Sequence, residues 1–236
     1  MPNVRRAVVL LSGGLDSAVV LASALRDGFE PHAISFDYHQ RHRAELLAAQ
    51  RVAESLGVPA SRRRVVRIAL EAIGGSSLTS ADLEVPKDRG HEEMASGVPS
   101  TYVPARNLVF LSIAAGLAET VGSSDLYIGV NAVDYSGYPD CREEFIRAFE
   151  AAANLGTRAG TQDRRAFSVH VPLVRLRKAE IIKLGVELGV DFSLTHSCYD
   201  PIERDGATLA CGRCDSCRLR SQGFADAYVA DPTRYA

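Results

Sequence analysis

The chain has 236 residues, 46% of them hydrophobic, and a formal net charge of −2 at neutral pH. That is enough apolar side chain for one large core, and too little positive charge for a general attraction to nucleic acid. No apolar run comes near the roughly 18–20 residues that a membrane-spanning helix needs. The opening Met-Pro-Asn-Val-Arg-Arg runs into a strand with no secretory segment before it, so a cytoplasmic protein is expected. Four of the five cysteines crowd toward the C-terminus, which fits a reducing compartment and a metal site better than a disulfide framework.

In chain order, a β-branched run predicts strand one at Arg6–Leu11, and an apolar helix follows from Asp16 to Asp27, closed by Gly28. Strand two is His32–Tyr38. Helix two runs from Arg43 to Leu56, ended by Gly57 and Pro59, and strand three is Arg64–Ile68. This β-α-β-α-β order predicts a doubly wound, parallel α/β sheet with ligands at the C-terminal ends of its strands. Residues 74–100 are rich in Gly, Ser, Pro and charge and predict a lid or a partly disordered segment. Leu108–Val121 is an apolar helix and Asp125–Val130 strand four. A helix over Glu143–Leu155, a loop over Gly156–Arg165 and strand five over Phe167–Leu173 come next. A helix over Lys178–Leu188, the cysteine segment and a short helix near Ser221–Ala230 complete the chain. Two parts are expected: residues 1–190 as the nucleotide domain, and residues 191–236 as a cysteine-rich segment packed on it.

Between strand one and helix one stands Ser12-Gly13-Gly14-Leu15-Asp16-Ser17. Glycines let the backbone turn tightly and let an anion approach. The amides that follow lie at a helix N-terminus, which favours phosphate. Ser12 and Ser17 add hydroxyls, and Asp16 can hold a metal through water. The loop lacks the Lys-Ser/Thr of a Walker motif and the third glycine of a dinucleotide fingerprint. It resembles the PP-loop of the ATP pyrophosphatases, which implies cleavage of ATP between its α and β phosphates.

Other stretches carry further polar chemistry. Gln40, Arg41 and His42 follow strand two at the mouth of the expected site, where His42 reads equally well as a phosphate contact or a surface histidine. Arg106 and Asn107 open an apolar helix. Arg106 offers a planar fork to phosphate or carboxylate, and Asn107 is open between a cap and a ligand contact. After strand four, residues 129–142 hold Asn131, Asp134, Tyr135, Tyr138 and Asp140, a set able to stack on and bond a planar ring. Cys141 fits a buried small residue or an active-site thiol. Lys178, at a helix entry, can reach toward phosphate. Cys198, Cys211, Cys214 and Cys217 can surround one tetrahedral ion; a structural zinc is expected, with an iron–sulfur cluster as the rival.

Taken together, Ser-Gly-Gly-Leu-Asp-Ser, Gln-Arg-His, Val-Pro-Ala-Arg-Asn, Asp134–Arg142 and the cysteine tail resemble the QueC family over nearly the whole chain. The resemblance implies an HUP-like α/β fold with bound zinc, commonly a homodimer, with no nucleic-acid or membrane partner. It implies a ligase that turns 7-carboxy-7-deazaguanine and ammonia into 7-cyano-7-deazaguanine, using ATP and Mg2+, for queuosine synthesis. The alternatives are a PP-loop tRNA-modifying enzyme and a paralogue acting on another carboxylate. The implied nucleotide contacts are Leu10, Leu11, Ser12, Gly13, Gly14, Leu15, Asp16, Ser17, Phe36, Gln40 and Arg41. Ser12, Asp16, Ser17, Arg106 and Lys178 are the implied catalytic set. Asp134, Tyr135 and Asp140 are the expected substrate readers.

Overall fold

The computed structural model describes residues 4–41, 44–131, 137–163 and 165–236. Its elements begin with β1 (Arg6–Leu10), α1 (Leu15–Arg26), β2 (Glu30–Asp37), α2 (Ala44–Ser55) and β3 (Arg63–Arg67). They continue with α3 (His91–Ala95), α4 (Arg106–Val121), β4 (Asp125–Tyr127), α5 (Glu143–Gly156), α6 (Arg158–Thr161) and β5 (Ser168–His170). The last are α7 (Lys178–Glu187), β6 (Ile202–Arg204), β7 (Ala207–Leu209) and α8 (Asp215–Ala227).

Five parallel strands form one sheet in the order β3-β2-β1-β4-β5. β1 is central, so both its faces must be apolar, and Ala7 to Leu10 are all buried. Val8 and Leu10 face Leu111 and Ala114 of α4 and Ile146 and Phe149 of α5. Ala7 and Val9 face Val19 and Val20 of α1, Val52 of α2, Ile181 and Ile182 of α7 and Phe224 of α8. Helices thus cover both faces, and the residue 191–236 segment shares the second of these cores through Phe224. The strand order reverses between β1 and β4, and a crevice opens there at the carboxyl ends of the strands. Among the described residues no helix is long and apolar enough to cross a membrane.

Several elements differ from expectation for local reasons. β4 stops at Tyr127: the Ile128 amide still donates to His170 O of β5 at 3.1 Å, and residues 128–131 go on to line the crevice. Residues 156–165 are not all loop: α6 forms where the Thr157 side chain accepts the Gly160 amide at 3.2 Å. The last helix starts at Asp215, inside the cysteine run, rather than near Ser221. β6 and β7 form a hairpin turned by Asp205 and Gly206, both at positive φ, the Asp-Gly chemistry of a tight hairpin.

The expected lid, residues 74–100, is a strap fixed at both ends. Ser76 and Ser77 are fully buried, and the Ser77 amide donates to Ser100 O at 2.8 Å. Further along, Lys87 bridges Cys214, the Asp88 amide donates to Arg213 O at 2.8 Å, and Lys87 pairs with Asp200 at 2.7 Å. Arg89 adds an ion pair to fully buried Asp215.

Candidate active site and metal centre

At the end of β1 the chain makes its tightest contact. Gly13 has φ +91°, and a Cβ there would lie 2.2 Å from the carbonyl oxygen of Glu45 and 2.6 Å from the Ala49 amide. Its glycine therefore serves the approach of α2 to the loop, and it does not line the crevice. Beyond it, Ser17 Oγ accepts the Gly13 amide at 3.2 Å and donates to Gly14 O at 2.9 Å, and Ser12 Oγ donates to it at 3.1 Å. Ser12 Oγ in turn accepts the Gly14 amide at 3.3 Å. The hydroxyls hold the loop's shape, and Leu15, Asp16 and Ser17 in the first turn of α1, where a helix has amides without carbonyl partners of its own, line the crevice.

Lys178 closes this cradle from α7. Its Nζ lies 2.8 Å from both carboxylate oxygens of Asp16. The stem can lie flat because Gly223 of α8 faces it; a Cβ there would sit 2.3 Å from Lys178 Cγ. The crevice has a cavity volume of about 260 Å3 and takes Leu10, Leu11, Leu15, Phe36 and Gln40 into its lining as well. Arg41 stands outside it, exposed and bonded to Leu83 O at 3.2 Å.

Arg106 enters the crevice from the start of α4. Ala105 before it holds a left-handed φ of 56°, a conformation costing about 1–2 kcal/mol, and this turn aims the arginine. Burial opposes the Arg106 charge, yet Tyr38, Tyr138, Tyr199 and Asp140 surround it and raise its pKa, so it is cationic throughout. Asn107 is buried. Its amide donates to Asp140 Oδ2 at 3.1 Å and its Nδ2 to Asp140 O at 3.2 Å. Asp140, expected to read the substrate, is thus committed to the start of α4 and does not line the crevice. Cys141 does line it, but burial and then Asp140 push its thiol up to about 12, so it stays protonated. The other expected substrate readers, Asp134 and Tyr135, and His42 lie outside the described residues.

Sequence reasoning missed the opposite wall. The His196 amide donates to Gly13 O at 2.9 Å, and Ser197 Oγ accepts the Leu15 amide at 3.5 Å. Arg220, 3% exposed, pins this segment, donating to Thr195 Oγ1 at 2.7 Å and Phe192 O at 3.1 Å while pairing with Asp231 at 3.1 Å. His196, Ser197, Tyr199 and Arg220 all line the crevice. The available signal was the polar His-Ser-Cys-Tyr run around Cys198. Glu45 was missed too, because an acidic residue in a helix's first turn normally needs no explanation beyond the helix dipole.

The four cysteines converge. Their sulfurs lie within 4.8 Å of one another, all four residues are buried, and none is in a disulfide. A tetrahedral ion with sulfurs at about 2.3 Å requires sulfur–sulfur separations of roughly 3.8 Å, so the set fits one metal ion. Backbone amides donate to the sulfurs: Asp200 and Cys211 to Cys198 Sγ at 3.4 and 3.2 Å, Arg213 and Cys214 to Cys211 Sγ at 3.5 and 3.4 Å. Such donors stabilise thiolates, as a ligand set needs.

The chain matches the family described as "Queuosine biosynthesis protein QueC" over residues 6–228. It is 62% identical over 232 residues to a 7-cyano-7-deazaguanine synthase of Myxococcus xanthus, covering 98% of both chains. It is 60% identical over 231 residues to one of Solidesulfovibrio magneticus, covering 98% of this chain and 96% of that one. With one of Methylococcus capsulatus it shares 59% over 229 residues, covering 97% and 98%.

Proposed function

This chain belongs to the QueC family, and from that premise we propose that it is an ATP-dependent ligase converting 7-carboxy-7-deazaguanine and ammonia to 7-cyano-7-deazaguanine in queuosine synthesis. The observation that carries the reading is the phosphate cradle of Ser12–Ser17 at the β1–β4 switch point, faced by Lys178 and Arg106.

The chemistry follows from what a carboxylate lacks. It cannot exchange oxygen for nitrogen until that oxygen becomes a leaving group. A carboxylate oxygen attacks the α-phosphorus of ATP, the bond to the bridging oxygen breaks, and pyrophosphate leaves. Ammonia then displaces AMP to give the amide. A second ATP adenylates the amide oxygen as one N–H proton is lost, and departure of AMP with the other N–H proton leaves the nitrile. Both activations expel pyrophosphate, so the loop amides, Ser12, Ser17 and Lys178 act twice, and Arg106 offsets charge at the α-phosphate. No side-chain nucleophile is required, so positioning and charge stabilisation are the protein's share. Phe36, Phe110 and Leu78 give the crevice apolar walls that protect an acyl-adenylate from water.

The metal at the cysteines is zinc on this reading, a closed four-thiolate site with a structural role. Mg2+ would accompany the ATP phosphates, with Asp16 a carboxylate that could hold it through water. The enzyme is a homodimer of the cytoplasm, acting on small molecules alone; sedimentation checks the first point. The activity test incubates the protein with the acid, ammonia, ATP and Mg2+ and follows products by mass spectrometry. Amide, nitrile and two pyrophosphates per nitrile are expected; absence of both amide and nitrile from folded, metal-loaded protein sinks the reading.

A further inference from the structure

Amination sets a proton problem that adenylation does not. Near neutral pH most ammonia is ammonium, which has no lone pair. One proton leaves before nitrogen can attack the acyl carbon, and a second leaves the adduct as AMP departs. Nitrile formation removes both remaining N–H protons, one on adenylation of the amide oxygen and the last as AMP departs. A cleft doing this chemistry needs an acceptor that is an anion at working pH yet holds a proton well.

Two carboxylates line the crevice among the described residues, Asp16 and Glu45. Asp16 is engaged at both oxygens by Lys178. Tyr38 is pushed by burial to about 12 and Cys141 also to about 12, so neither ionises. Arg106, Lys178 and Arg220 are cations. Glu45 is different. It sits in the first turn of α2, and its backbone is seated against Gly13 of the phosphate loop. Its half-buried side chain feels Arg106 across the crevice from α4 and Tyr38 from the end of β2; Asp16 and Lys178 line the same space from α1 and α7. Burial raises its carboxyl to about 7, against the downward pull of Arg106.

We propose that Glu45 is the base that takes the proton from the attacking nitrogen, and in the second stage the N–H proton whose loss completes the nitrile. In each case the Glu45 carboxylate gains one proton as the nitrogen's electron pair becomes free to form the bond to carbon, and the proton returns to solvent between stages. The anion also gives the incoming ammonium a counter-charge near the cradle. The proposal rests on the ligase reading above.

The test separates the two half-reactions. Without ammonia, acid-dependent exchange of labelled pyrophosphate into ATP reports adenylation; with ammonia, amide formation reports the nitrogen step. Glu45→Gln should keep exchange within about twofold and lose amide formation by about 100-fold or more, the low end of general-base catalysis. At fixed ammonium, the parent's amide formation should rise with a pH limb that levels off near 7; Glu45→Gln should lack that limb and Glu45→Asp should retain it at reduced rate. Amide formation unchanged in Glu45→Gln overturns the proposal, as does a proportionate loss of exchange, which would make Glu45 a shaping residue. A limb surviving in Glu45→Gln and vanishing in His196→Gln also overturns it, and assigns the base to His196. A parent that shows no acid-dependent exchange overturns the ligase reading itself.

Discussion

Gly223→Ala is a one-methyl test of how the cradle is closed. The new Cβ would meet Lys178 Cγ at 2.3 Å, Lys178 Cβ at 2.9 Å and Ile182 Cδ1 at 3.1 Å. Carbon contacts are comfortable at about 3.5–4.0 Å, so the root of Lys178 must withdraw by roughly 1 Å or α8 must lift. Overpacking of this kind costs about 1–3 kcal/mol. Against it stands the helix gain of alanine over glycine, about 1 kcal/mol. The net expectation is a loss of about 0–2 kcal/mol, or a fall in Tm of up to roughly 4–8 °C for a chain of this size. The catalytic effect should be larger than the stability effect, because displacement of a positioning group by about 1 Å can cost 100-fold. Urea unfolding and acid-dependent pyrophosphate release, run on the same preparation, measure both. A variant that is about 1 kcal/mol more stable and fully active would refute the claim that this glycine seats Lys178 against Asp16.

Three other outcomes are expected. Cys214→Ala should lose its metal and weaken amide-exchange protection across residues 85–93, since that strap bonds to Arg213, Cys214 and Asp215; a fully metal-loaded variant would contradict the four-thiolate assignment. Asp140→Ala should cost about 1–3 kcal/mol by leaving the buried Asn107 amide without its acceptor, with KM for the acid nearly unchanged; a tenfold rise in KM at unchanged stability would return Asp140 to substrate reading. Burial works against the Asp231 charge, but the Tyr235 hydroxyl, Arg220 and the Thr233 amide outweigh it and hold its pKa below the ordinary value. A depressed folded pKa gives stability that is complete above the unfolded value of about 3.9 and fades as pH falls through the folded one. Acid titration of unfolding should therefore be shallower below about pH 4 in Asp231→Asn, and an identical profile would contradict the pairing.

Local grammar made much of the fold legible. Ala7–Leu10, apolar on both faces, can only be a central strand, and the Asp-Gly pair at 205–206 carries its own turn geometry. The Ser-Gly-Gly loop at the crevice and the convergent cysteines were legible because each shows fixed residue types at fixed spacing. Where the reading fell short, the deciding interaction was distant in sequence. Asp140 looks like a ligand group until its partner, the Asn107 amide, is known. Gly13 looks like an opening for an anion until α2 is seen against it. Residues 74–100 have a disordered composition, and contacts far off in sequence, with Asp200, Arg213, Cys214 and Asp215, help to explain why they hold a shape. Arg220 and Glu45 carry no spacing signal at all.

The cradle is assembled from chain segments synthesised far apart: Asp16 meets Lys178 across 162 residues, and Leu15 meets Ser197 across 182. On a ribosome, the Ser-Gly-Gly loop emerges first and waits for most of the protein before its lysine and its far wall arrive. Closing loops of this length is an entropic burden that early contacts cannot repay. Nascent chains should therefore be unable to sequester or hydrolyse ATP. Competence would appear late and all at once, when α8 docks and brings the Arg220-pinned wall into place.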